Sequence, residues 1–215
     1  MTSPRTTTST DYTVSYFALR RTVGWFGILL PIVVFLVGLA LPPHQFLSSI
    51  SAYYYIPFAG SIFVGVLWAI GVFLWFYDYE HVDNILTSIA GTFAFGIATF
   101  PTPREGAPTG AHAIVGGIHF VCAAAFFVTL ALISLRLFTR GPVSGRPRKK
   151  ARNIVYIVCG VIMLVALLSA GITRLLLGGE LFAQLHVLFY CEVAASWAFG
   201  ASWLIKGQML IRDLD

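Results

Sequence analysis

The run from Val23 to Leu41 constrains this chain most: nineteen consecutive residues without a charge, set between Arg20-Arg21 and Pro42-Pro43. As a helix it rises about 28 Å, close to the roughly 30 Å of a bilayer's hydrocarbon core, and Pro31 is expected to bend it. The same test places further spans at about 58–77, 84–100, 112–135, 154–173 and 181–205, six in all. Only 11% of the 215 residues are charged, 58% are hydrophobic and the mean hydropathy is +0.82, whereas ordinary soluble domains are about 25% charged. Soluble, disordered and fibrous readings are excluded. The predicted fold class is all-α, a polytopic bundle of six transmembrane helices.

The fourteen Lys and Arg lie in short tracts between apolar runs rather than over a water-exposed face, so nucleic acid is not an expected partner. With six spans, twelve of them fall on one side and only Arg104 and Arg174 on the other. The positive-inside bias then predicts an inner (plasma) membrane protein with both termini cytoplasmic. The third span is short and rich in Thr, Gly and Ala, but deleting it would export Arg136, Arg140, Arg146, Arg148, Lys149, Lys150 and Arg152. Its Ala90, Ala94 and Ala98 form one small-residue face suited to close helix contact. Trp25, Trp75 with Tyr77, and Trp203 are expected at the cytoplasmic interface, and Tyr53 to Tyr55 at the outer one.

The expected organisation is a flexible cytoplasmic tail over 1–20, a membrane domain over 21–207 and a short tail over 208–215. The 136–153 loop, with Gly141, Pro142, Gly145 and Pro147, reads as irregular and attractive to anionic headgroups. The facing loop holds Asp78, Glu80 and Asp83, which can pair with it, and Asp83 is placed to cap the third helix. Cys122, Cys159 and Cys191 lie within apolar segments without paired spacing and read as buried thiols.

Ionisable side chains inside a bilayer are costly and face a bundle interior or cavity. His119 lies about 10 Å below His112 on one face of span four. In span six, His186 and Glu192 lie about 8 Å and 16 Å from the outer end, so His119 and His186 reach matching depths. Glu192, near mid-membrane, requires either a proton or hydrogen-bond donors. These residues predict a polar pocket between spans four and six that opens outward, the alternative being an interhelical hydrogen-bond network without a ligand. Two imidazoles and a carboxylate also form a legitimate zinc set, and His119 with His186 could ligate haem, although no His-Glu-x-x-His motif is present. The first outer loop is unusually aromatic; Tyr53, Tyr54 and Tyr55 either anchor at headgroups or lid the pocket. Ser51 is a conceivable nucleophile, but no nucleophile elbow surrounds it. Arg104, in a loop stiffened by Pro101, Pro103 and Pro108, is a candidate for an anionic headgroup.

The run Ser49-Ile-Ser-Ala-Tyr-Tyr-Tyr, then Phe63-Val-Gly, Ala90-Gly, Phe100-Pro-Thr-Pro, His112 and His119, resembles a large set of uncharacterised bacterial six-span membrane proteins. The likeness is clearest from about Ser48 to Phe120, with Tyr156, Cys159-Gly160, Glu192 and Phe199-Gly-Ala-Ser-Trp as later landmarks. More distantly, the chain is similar to the Frag1/DRAM/Sfk1 group, which implies a role in lipid remodelling or membrane organisation and transfers no active-site residue. The leading expectation is binding or organisation of a membrane lipid or similar amphiphile, with Glu192, His186, His119 and His112 as polar anchors. The rivals are a metal-dependent membrane hydrolase using the same cluster, a proton-coupled carrier, and a structural role as a homo-oligomer or beside a membrane-protein partner.

Overall fold

The computed structural model describes residues 9–42, 44–77, 81–104, 109–143 and 147–209. They form six long helices: α1 (Ser9–Ala40), α2 (Ala59–Trp75), α3 (His81–Thr99), α4 (Ala111–Leu132, prolonged by a π-helical segment Ile133–Leu137), α5 (Pro147–Gln184) and α6 (Val187–Lys206). A 3-10 helix, Ser51–Tyr55, lies in the α1–α2 connection. No strand occurs among the described residues, so the chain is all-helical. Four stretches, Tyr16–Ala40, Ala111–Leu137, Pro147–Gln184 and Val187–Lys206, are long and apolar enough to cross a membrane; Ala59–Trp75 and Asn84–Thr99 are apolar but shorter.

Arg21 Nε donates to the Gly207 carbonyl at 2.7 Å, which sets the start of α1 beside the end of α6. We call this the proximal end, and the end bearing the α1–α2 and α3–α4 loops the distal one. Residues 9–20, expected as tail, continue α1 as helix. Over 16–20 the helix is packed: Arg20 is buried, donates to Tyr77 Oη at 2.8 Å and lies over the Tyr16, Phe17 and Tyr77 rings. Tyr77 packs in turn on Trp203. These two aromatics therefore belong to the core, not to an interfacial belt, while Trp25 and Trp75 stay exposed.

Pro31 lies inside α1 and cannot donate to the carbonyl of Gly27, four residues earlier. Ser196 Oγ on α6 donates to that carbonyl instead, at 2.7 Å, and Trp197 Nε1 donates to the neighbouring Ile28 carbonyl at 3.2 Å. Such repair is what permits proline in an apolar helix. Close approach makes it feasible: a Cβ on Gly200 would lie 2.6 Å from the Gly24 oxygen. Glycines also set the α2–α3 crossing, where a Cβ on Gly91 would meet the Gly71 oxygen at 2.7 Å. Ala90, Ala94 and Ala98 are all buried on the inner face of α3.

The basic loop is shorter than its composition suggests. Helix α5 starts at Pro147, a residue preorganised for a first helical turn, and the π-helical segment carries α4 to Leu137. Lys149 Nζ donates to the Arg140 carbonyl, and Asn153 Nδ2 to that of Thr139 at 3.3 Å, so side chains of α5 satisfy carbonyls just past α4. Near this end α4 and α5 touch, with the Gly160 face against Leu135 and the Ala131 carbonyl. At its distal end α5 is broken by Gly178 (φ 73°, ψ 174°). The chain turns back through 179–184 and enters α6 at Val187, later than the expected 181. The pairing of Asp78 and Glu80 with the basic loop, the Asp83 cap, Arg146 and both extreme tails lie outside the described residues and side chains.

Candidate functional site

Glu192, in the second turn of α6, does not face the histidines. Its carboxylate accepts three hydrogen bonds from the start of the distal 3-10 helix: Ile50 N to Oε2 at 2.5 Å, Ser51 N to Oε2 at 3.3 Å and Ser51 Oγ to Oε1 at 3.2 Å. Through these three bonds the side chain staples the α1–α2 loop to α6. Since the Ser51 hydroxyl proton points at Glu192, the 3.2 Å contact between Ser49 Oγ and Ser51 Oγ is donated by Ser49. Ser49 Oγ in turn accepts from Ala52 N at 3.0 Å, and Phe189 N donates to the Ser48 carbonyl at 3.0 Å. Ser51 is thus a structural link.

Each remaining candidate has a different neighbourhood. His119 is buried on α4, and its Nδ1 lies 2.7 Å from the Phe100 carbonyl just beyond α3. A carbonyl only accepts, so Nδ1 carries the proton and His119 closes the end of a helix that Pro101 cannot extend. His186 occupies the α5–α6 corner in left-handed conformation (φ 49°), stacked on Phe46 with ring centroids 4.0 Å apart. His112 is exposed on the first turn of α4. Tyr53 is fully buried against Gly38, its phenol oxygen accepting from Leu47 N at 3.3 Å. Burial pushes the Tyr53 phenol above the usual tyrosine value, partly opposed by that N–H. Tyr55 donates to the Thr102 carbonyl at 2.6 Å and lies under the Arg104 guanidinium at 4.7 Å, with Tyr54 edge-on to it. Tyr55 therefore joins the two distal loops, whereas Tyr53 packs on α1, and neither lines the cleft between α4 and α6.

His119, His186 and Glu192 are not assembled into one polar chamber, because helix termini and a loop claim each of them separately. Among the described residues no three His, Cys, Asp or Glu lie close enough to hold a metal ion. The proposed zinc set is therefore not formed.

A cavity does exist, in a different place and of different character. Helices α4, α5 and α6 enclose about 410 Å³. Small residues make the room: Ala123 and Ala124 on α4, Ala166, Ala170 and Gly171 on α5, and Ala195 on α6. Phe182, in the turn after Gly178, is buried along one side, while Phe120, Gly171 and Arg174 are exposed at the rim. The walls are almost wholly apolar, and Glu192 is the only member of the expected cluster among them. Glu192 also borders a narrower void of about 60 Å³ beside Ile50, Ser51 and Ser196, so it stands between cleft and bundle interior.

Sequence reasoning missed three participants: the Ile50 and Ser51 amides, Arg174, and the small residues of the cleft. Ala166 and Ala170, four apart on span five, were the available signal. No protein-family model, curated protein or solved structure matches the chain.

Proposed function

We propose that this is an integral membrane protein of six spans in the inner (plasma) membrane, with the proximal end and both termini cytoplasmic, that binds or organises a lipid or similar amphiphile in the α4–α5–α6 cleft. The observation that carries this reading is the cleft of about 410 Å³ with apolar walls and an exposed rim. Small-molecule sites occupy about 300–1,000 Å³ and are mostly apolar with few polar groups. The flanks of α4 and α5 beside it expose Val121, Leu168, Ile172, Leu175 and Leu176, surface suited to lipid rather than water. The resemblance to six-span proteins with lipid-linked relatives points the same way.

The test is native mass spectrometry of protein extracted in a neutral detergent. Wild type is expected to retain one lipid that Ala170→Leu/Gly171→Leu, which fills the cleft, does not; equal retention overturns the reading. For the topology, a membrane-impermeant maleimide applied to intact spheroplasts is expected to label Arg104→Cys and spare Lys150→Cys. The reverse pattern, or labelling of both, rejects it.

A further inference from the structure

Arg174 and Glu192 are the only charged side chains lining the cleft, and they are in opposite situations. Glu192 is occupied by three donors of the distal loop. Arg174 has no carboxylate partner among the described residues, while nearby Glu180 is contacted by Gln184 at 3.5 Å. The cleft therefore offers one uncommitted charge, and it is positive.

Its position is built rather than incidental. Arg174 sits one turn before the Gly178 break, and its guanidinium lies across Gly179, with its atoms 2.9 to 3.3 Å from where a Cβ would be. Any side chain at 179 would displace it. From Arg174 to Ala166, eight residues deeper on the same wall, is about 12 Å along the helix. A head at the rim and a tail running inward follow the orientation of lipids in the distal leaflet. A cleft of about 410 Å³ between apolar walls has room for an acyl chain.

We infer that the cleft takes an apolar chain whose anionic head, a carboxylate or a phosphate, is held by Arg174 at the distal rim. The inference rests on the amphiphile-binding reading above and narrows it to a ligand class. A planar guanidinium suits both heads, since each presents paired oxygens to its fork of N–H donors.

The experiment titrates full-length protein in a neutral maltoside detergent with oleate, oleyl alcohol and dioleoyl phosphatidylglycerol, at alkaline pH where oleate is ionised. Wild type is expected to bind oleate about tenfold more tightly than oleyl alcohol, the usual effect of one hydrogen bond to a charged group. Arg174→Gln is expected to abolish that preference while keeping the affinity for oleyl alcohol, which also shows that the variant is folded. Lys150→Gln, at the opposite end, is expected to keep the preference; its loss there would mean bulk electrostatics and overturn the inference. Equal binding of oleate and oleyl alcohol by wild type, with Ala170→Leu/Gly171→Leu abolishing both, removes the anionic head but leaves the cleft reading intact. Binding that survives Ala170→Leu/Gly171→Leu removes the cleft reading itself. Competition between phosphatidylglycerol and oleate assigns the chain to one leg of a phospholipid, and its absence assigns it to a free carboxylate; either result supports the class.

Discussion

The α1–α6 crossing and the α4–α5 flank use the same residues, glycine and alanine, to opposite ends. At the crossing, Gly24 and Gly200 let two backbones meet so closely that an added Cβ would strike a carbonyl oxygen. On the flank, nothing lies within 4 Å of the Cβ position of Gly171, and alanines on three helices surround empty space. The difference is whether something draws the helices together. The proline-freed Gly27 carbonyl needs a donor, and Ser196 can supply one only at short range. Between the distal halves of α4 and α5 no proline frees a carbonyl in this way, and the Gly178 break sends the chain away toward α6. Small residues permit contact; an unmet polar group enforces it.

The largest effect that would break this contrast comes from exchanging leucine for glycine on each side. Gly200→Leu forces methylenes into backbone atoms and is expected to cost at least about 3 kcal/mol, the upper range for overpacking, seen as loss of the monodisperse fraction on size exclusion. Gly171→Leu is expected to stay within about 0.5 kcal/mol, as for a surface change. Equal melting losses for the two would erase the distinction. Next comes Glu192→Ala, which strips the acceptor from the Ile50 and Ser51 amides at about 1–3 kcal/mol per orphaned donor. Amide hydrogen exchange should quicken at those two residues and not in α3; unchanged protection would show the loop to be held some other way.

A smaller effect sharpens the role of the proline. Ser196→Ala is expected to cost about 1 kcal/mol, and less when combined with Pro31→Ala, whose own N–H can reach Gly27. A double-mutant cycle without coupling would disconnect the two residues. The smallest change is Tyr55→Phe, which deletes the bond to Thr102 for about 0.5–1.5 kcal/mol. Its signature is faster exchange in the 100–104 segment.

Helix positions were largely legible, because uncharged runs of bilayer length leave few alternatives, and the burial of Ala90, Ala94 and Ala98 followed from their spacing. The ends were less so: α1 already runs from Ser9, inside the expected tail, and the contacts made by Tyr16 and Arg20 come from Tyr77, far away in sequence. The site suffered most. Depth along a helix can be counted from sequence, and His119, His186 and Glu192 were placed at plausible heights. Rotation about the helix, and the pull of backbone groups at Phe100, Ile50 and Ser51, cannot be counted in that way. A cavity is harder still to foresee, since it is defined by side chains that fail to meet.

The bond from Ser196 to Gly27 joins residues 169 positions apart. The acceptor is synthesised well before its donor, so a nascent chain holds an open defect in α1 until α6 arrives. Truncation ahead of α6 would leave that flaw permanently displayed, a mark by which quality-control proteases can tell an incomplete copy from a finished one.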